Sequence, residues 1–85
     1  MKKLSETIEL MTSENYDDRL KAEYYQLAIR MIGLNRMLEG YKNGTLDFTP
    51  KCSYELLYTQ LQSMRDYAHY LEERAKVEGI DLYSL

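Results

Sequence analysis

The sequence predicts an all-α protein: a short N-terminal helix, then a long antiparallel helical hairpin, assembled into a homo-oligomeric bundle. Apolar residues recur at alternating intervals of four and three along two long segments, which is the spacing of a helix–helix seam. The chain has 85 residues, 45% of them hydrophobic, and is short for a domain that must bury a core alone. Gly, Pro and Asn residues, which commonly end or begin helices, divide the chain into helices at about 4–11, 15–43 and 50–78. We expect these helices to form one domain, 1–85.

The first predicted helix is short and amphipathic. Leu4, Ile8 and Met11 stand at helical spacing and define its apolar side. The polar stretch 12–15 then interrupts the pattern, and Asn15 is of a residue type that commonly caps a helix N-terminus. We therefore expect the second helix to begin at about residue 15.

The second helix carries a seam of seven apolar positions and a second apolar strip beside it. That strip is wider than packing against one neighbouring helix requires, which predicts self-association. The seam consists of Leu20, Tyr24, Leu27, Met31, Leu34, Leu38 and Tyr41, and the strip of Tyr25, Ala28, Ile29 and Ile32.

A glycine-containing turn separates the two long helices. Gly44 follows Asn43, and glycine readily adopts the left-handed conformation that ends a helix. We expect Phe48 to pack under the hairpin, with Thr49 and Pro50 opening the third helix. The seam of that helix comprises Tyr54, Leu57, Leu61, Met64, Ala68, Leu71 and Ala75.

The third helix is expected to end at Gly79, after which the tail at 80–85 has apolar residues that can fold back onto the bundle.

Charge and composition exclude several classes of function. The formal net charge of −3 argues against binding duplex DNA, which requires a dense basic surface. No segment has the length and apolar character of a membrane span, and Glu6 and Glu9 interrupt any signal-peptide core. With Cys52 as the single cysteine, a reducing cytosol is expected.

The sequence lacks the residue groups on which enzymes and metal sites depend. His69 is the single histidine, and neither it nor Cys52 has a partner that would form a catalytic group. Glu72, Glu73 and Glu78 lack the Glu-x-x-His pattern of metal sites in helical bundles. We therefore expect no catalytic residue, no metal site and no cofactor.

Tyrosine and arginine are the side chains best suited to bind a ligand in this sequence. Tyr24, Tyr41 and Tyr54 lie on the predicted seams and are interpreted as packing residues. Tyr16, Tyr58, Tyr67 and Tyr70 lie beside or off the seams and are therefore better candidates for contact with a ligand. Guanidinium groups match the oxygens of phosphates.

The third helix also carries the order Leu56, Leu57, Gln60, Met64, Tyr67, Leu71 and Arg74. This order resembles the C-terminal helix of a family of small phage proteins, from crAss-like and other phages, to which the anti-CBASS cyclic-nucleotide sponges belong. The second helix is similar to that family's long first hairpin helix at Arg19, Glu23, Leu27, Leu34, Met37 and Leu38. The resemblance spans about residues 16–78.

The resemblance implies a homohexamer that binds cyclic dinucleotides and, in separate pockets, cyclic trinucleotides, so that the host's antiviral effector stays inactive. Family members often carry a lysine near 33–36, where this chain has Arg36 as the cation. A competing hypothesis is a non-enzymatic helical interaction module that binds a host protein. The predicted ligand-binding residues are Tyr16, Arg30, Arg36, Gln60, Arg65, Tyr67 and Arg74.

Overall fold

A computed structural model describes residues 3–83. The described residues do not include Met1, Lys2, Ser84 and Leu85. Both ends of the predicted domain and the last two residues of the predicted tail therefore lie outside the described residues. The described chain has a 3₁₀-helix at Leu4–Thr7 followed by three α-helices: α1 at Ile8–Met11, α2 at Tyr16–Asn43 and α3 at Tyr54–Glu78. The predicted all-α class is confirmed, since residues 3–83 contain no strand.

The N-terminal segment is helical, but its first turn is wound more tightly than predicted. The Thr7 hydroxyl donates to the Leu4 carbonyl at 2.7 Å, a local bond that competes with regular α-helix hydrogen bonding. Thr7 is fully buried and also accepts a hydrogen bond from Gln26 Nε2. The 3₁₀-helix and α1 both pack on α2, and within residues 3–83 neither contacts α3.

The predicted ends of α2 are confirmed. The Asn15 side chain accepts a hydrogen bond from the Asp17 backbone amide at 2.9 Å, and Asp17 and Asp18 lie in the positive first turn. At the other end Gly44 has a φ of 69°, in the left-handed region, and its amide bonds to the last turn.

The predicted start of the third helix at residue 50 is wrong. The helix begins at Tyr54, because the Ser53 hydroxyl accepts from the Leu56 amide at 3.1 Å and takes the capping role expected of Thr49. The cap lies directly before the first seam residue, so the helix starts where packing against α2 starts. Thr49 and Pro50 belong to the connection.

The prediction that Phe48 packs under the hairpin is also wrong, because 53% of its surface is exposed. The connection is instead anchored by Tyr41, whose ring meets that of Tyr54 edge to face at 5.7 Å.

The two long helices run antiparallel. Tyr16 and Tyr24, near the start of α2, reach Glu78 and Glu72 near the end of α3, and Tyr41 meets Tyr54 at the opposite end. The buried core between them follows the predicted seams. It comprises Leu20, Leu27, Ala68, Leu71, Ala75, Ile80 and Leu82, with Tyr24, Met31 and Met64 packed against it.

The tail completes that core, as predicted. Gly79, with a φ of 71°, reverses the chain after α3 and so brings Ile80 and Leu82 back onto the seam. Tyr83 remains exposed, with its ring edge to face with Tyr24 at 6.3 Å.

The second apolar strip on α2 is only partly covered. Ala22 is fully buried, a position that the strip did not include, whereas Ile32 is 38% exposed. None of the helices in residues 3–83 is both long and apolar enough to cross a lipid bilayer.

Candidate ligand-binding grooves

Two surface grooves flank the seam between α2 and α3, one on each side. An α-helix advances 100° per residue, so Arg30 and Arg36 lie on opposite sides of the α2 seam, as do Gln60 and Arg65 on α3. We call the larger one, about 610 Å³, the Tyr67 groove, and the smaller one, about 330 Å³, the Arg36 groove.

The Tyr67 groove combines an apolar floor with polar walls. Its floor consists of Leu27, Leu34, Leu57 and Met64, and its walls carry Glu23, Gln26, Arg30, Gln60 and Tyr67.

Heptad spacing produces these walls. Glu23 and Arg30 stand seven residues apart on α2, as do Gln60 and Tyr67 on α3, so each pair projects from one side of its helix. Tyr67 is 44% exposed, which leaves its ring accessible. Arg30 makes no ion pair or side-chain hydrogen bond within residues 3–83, so its guanidinium can bind a ligand.

The N-terminal segment supports one wall of the Tyr67 groove. The Gln26 amide Nε2 donates to the Thr7 hydroxyl at 3.0 Å and contacts the Met11 sulfur. Both amide donors are therefore directed at the segment, and the Gln26 carbonyl oxygen remains as the acceptor available to a ligand.

The Arg36 groove is more cationic and has no aromatic side chain. Its lining is Met31, Ile32, Asn35, Arg36, Glu39, Leu61 and Arg65. Within that lining the Asn35 amide donates to the Glu39 carboxylate at 3.3 Å. Neither guanidinium forms an ion pair with a described residue. The groove therefore offers two cations and one carboxylate that already has a hydrogen-bond partner.

Tyr16 and Arg74 lie in neither groove. The Arg74 guanidinium donates to the Tyr16 hydroxyl at 2.5 Å, and that hydroxyl donates to Glu78 at 3.3 Å. The hydrogen bond with Tyr16 raises the pKa of Arg74, with smaller contributions from the charges of Glu78 and Glu23. The guanidinium carbon of Arg19 lies 6.0 Å from the Tyr16 ring. These side chains connect the start of α2 to the end of α3.

The structure thus divides the seven predicted site residues into three groups. Arg30, Gln60 and Tyr67 share the larger groove, Arg36 and Arg65 share the smaller one, and Tyr16 and Arg74 bind each other.

The remaining tyrosines have structural contacts or lie on open surface. Tyr24 donates to the Glu72 carboxylate at 2.6 Å, and burial together with this bond raises the pKa of Tyr24. Tyr54 stacks on Tyr58 with ring centroids 6.1 Å apart. Tyr70 is 65% exposed and lines neither groove.

Sequence reasoning missed the two glutamates that line the grooves. Glu23 and Glu39 are absent from the ligand-binding residues that the sequence predicts. The available signal was position: a residue beside a seam position on a long helix lines the groove along that seam. How deeply such a residue is buried depends on how the partner helix packs, and the sequence pattern of α2 does not specify that packing.

Fold and grooves together define the class: a small all-helical protein with arginine-bearing surface grooves along a helix–helix seam. The Sequestin family model matches residues 14–77, three quarters of the chain, and the chain belongs to the Sequestin family. This identification agrees with the resemblance of both long helices to a sponge-type anti-CBASS family. The matched residues include the whole lining of both grooves. No curated protein and no solved structure matches the chain.

Proposed function

We propose that this chain is a phage anti-defence protein that binds cyclic di- or trinucleotide immune messengers in the host cytoplasm and sequesters them without cleavage. The observation that carries the proposal is the Tyr67 groove. It joins an accessible tyrosine ring, a guanidinium without a partner among residues 3–83 and a glutamine side chain in a space of about 610 Å³. Membership of the Sequestin family supports a sequestering role.

Each polar group of the Tyr67 groove has a counterpart in a nucleotide. The Tyr67 ring stacks on a base, a contact that contributes about 1–3 kcal/mol. Arg30 binds a phosphate through charge-assisted hydrogen bonds of about 1.5–3 kcal/mol. Gln60 donates to a base edge or to the ribose. The Arg36 groove, with two guanidinium groups and no ring, suits phosphates better than bases.

One groove on one chain does not account for tight binding. Nanomolar affinity requires about −12 kcal/mol after the costs of association, more than one stacked base and one phosphate contact provide. Symmetry-related copies would add further contacts to the same ligand. We therefore propose a homohexamer. The exposed side chain of Ile32, beside the Arg36 groove, is one surface that a second copy would cover.

Release of an unchanged ligand is part of the proposal. Among residues 3–83, the side chains that line the two grooves include no histidine, cysteine or serine, which supports binding without cleavage. His69 and Cys52 are exposed elsewhere on the described chain. Binding by stacking and ion pairing leaves phosphodiester bonds intact, so the protein would act by affinity and abundance.

Calorimetric titration of the assembled, ligand-free protein tests the proposal. The panel contains cyclic di-AMP, cyclic di-GMP and cyclic tri-AMP, with linear dinucleotides as controls for the ring. We expect saturable binding of at least one cyclic member and its recovery intact after denaturation of the protein. Absence of binding across the panel would exclude the proposal.

Two further measurements address the assembly and the competing hypothesis. Sedimentation that finds a folded monomer at micromolar concentration would contradict the homohexamer. Native mass spectrometry of protein taken from infected cells separates the hypotheses, because a sponge retains a nucleotide-sized mass and an interaction module retains a host protein.

A further inference from the structure

Glu23 is a carboxylate inside a groove that otherwise suits an anion. It is half-buried, lines the Tyr67 groove, and makes no hydrogen bond or ion pair with any residue from 3 to 83, although its charge also acts on Arg74. It lies seven residues before Arg30 on the same side of α2, about 10.5 Å away along the helix axis. The groove therefore has a cationic position at Arg30 and an anionic position at Glu23, separated along the axis of α2.

Glu39 in the Arg36 groove provides the contrast. Its carboxylate accepts a hydrogen bond from Asn35 at 3.3 Å, whereas Glu23 has no donor in the described part of the chain. The two glutamates therefore differ in what they can do for a ligand, although both line a groove on the same helix.

Electrostatics decide which part of a nucleotide can face Glu23. Two negative charges in contact repel each other, so phosphates are drawn to Arg30 and excluded from the Glu23 position. A carboxylate there accepts hydrogen bonds, and the ribose 2′-hydroxyl is a donor that stays free in a 3′,5′-linked cyclic ribonucleotide. Carboxylates bind ribose hydroxyls in this way in dinucleotide-binding folds.

Gln26 adds a second acceptor next to Glu23. Its amide nitrogen is held by Thr7, so its carbonyl oxygen is the atom left for a ligand. Two neighbouring acceptors match a hydroxyl donor better than they match a base edge with mixed donors and acceptors.

We propose that Glu23 accepts hydrogen bonds from ribose hydroxyls and makes the Tyr67 groove selective for ribonucleotides over 2′-deoxyribonucleotides. The inference rests on the proposed nucleotide-binding function and names the part of the ligand that this site reads. A 2′-hydroxyl is the group that separates the two ligand classes.

The test compares each cyclic ribonucleotide with its 2′-deoxy counterpart by calorimetric titration, using cyclic di-AMP, cyclic di-GMP and cyclic tri-AMP. The wild-type protein is expected to bind the ribonucleotide about tenfold or more tightly, the effect of one hydrogen bond to a charged group. In Glu23→Leu the preference disappears: ribonucleotide affinity falls, while deoxynucleotide affinity stays the same or rises because the repulsive charge is gone.

Two matched variants distinguish recognition from other roles of the glutamate. Glu23→Gln keeps an acceptor and is expected to retain part of the preference. Glu39→Leu removes the corresponding carboxylate from the other groove and is expected to leave the preference unchanged. Circular dichroism of each variant checks that α2 is intact.

The outcomes separate this inference from the proposed function. No binding of any nucleotide contradicts the proposed function itself. Binding with equal affinity for both ligand classes in the wild-type protein overturns the role of Glu23 alone. If Glu23→Leu loses affinity for ribonucleotides and deoxynucleotides equally, the glutamate has a structural role. If the variant gains affinity for both equally, the glutamate only repels the ligand. Either result also overturns the inference.

Discussion

The Tyr67 groove and the Arg36 groove follow the same seam on opposite sides, yet they differ in chemistry. The first has an accessible ring, one arginine and a carboxylate to which no described residue donates a hydrogen bond. The second has two arginines, an Asn35–Glu39 hydrogen bond and no ring. Packing of two helices creates both grooves, but the residues flanking the seam decide that one suits a nucleoside and the other phosphates.

The largest effect is expected from breaking the wall between the two grooves. Leu61 is 2% exposed, lines the Arg36 groove, and lies next in sequence to Gln60 of the Tyr67 groove. Leu61→Ala should lower the free energy of unfolding by about 2–5 kcal/mol, the cost of a cavity in a packed seam. Denaturant unfolding measures it.

The matched control for Leu61 is Leu56→Ala on the same helix, where the leucine is 59% exposed. Its effect should stay within about 0.5 kcal/mol. Equal effects of the two substitutions would mean that the grooves are not separated by a packed wall.

The second prediction tests which groove holds the base. If the proposed function holds, Tyr67→Ala should weaken binding of a cyclic nucleotide by about 1–3 kcal/mol and leave the proposed assembly intact, because only stacking is lost. Tyr70→Ala removes a ring that is 65% exposed and lies outside both grooves, so it should not change affinity. Titration calorimetry gives both values, and the reverse ranking would assign the base to another surface.

The third prediction concerns pH and the seam beneath the grooves. Burial and the Glu72 hydrogen bond raise the pKa of Tyr24 above its ordinary value of 10.0, so the folded state keeps this phenol neutral. The stabilisation is fully present below pH 10 and is lost as the pH rises from there toward the folded-state pKa, because the unfolded phenol ionises first. Stability should therefore fall with rising pH in this range.

Tyr24→Phe isolates that contribution from the other tyrosines. The variant should be about 1 kcal/mol less stable at pH 7, since it loses the bond to Glu72. The difference from wild type should shrink above pH 10. A difference that stays constant between pH 7 and pH 11 in chemical denaturation would contradict this account.

The smallest effect is expected at Tyr16, which sequence reasoning grouped with Tyr67. Its hydroxyl is engaged by Arg74 and Glu78 at an exposed position, so Tyr16→Phe should cost less than about 1 kcal/mol of stability. Ligand affinity should not change. A loss of affinity comparable with that of Tyr67→Ala would place Tyr16 in the binding site after all.

Much of the fold was predictable because it depends on local chemistry. Helix ends at Asn15, Gly44 and Gly79 follow from a side-chain cap and from glycine's access to positive φ, both of which are properties of single residues. The start of α3 was not predictable in the same way, because Thr49 and Ser53 are both suitable caps and packing of Tyr54 on Tyr41 favoured the second.

Periodicity and side-chain chemistry are readable along one chain, so they specify the helical class, the two seams and the residue types available to a ligand. The grouping of those residues is set only in the folded protein. Tyr16 and Arg74 are paired with each other, Arg36 and Arg65 face one side, and Arg30, Gln60 and Tyr67 share the other with Glu23. The physical reason is that a groove wall comes from two helices at once, and the register between them is set by packing across the seam.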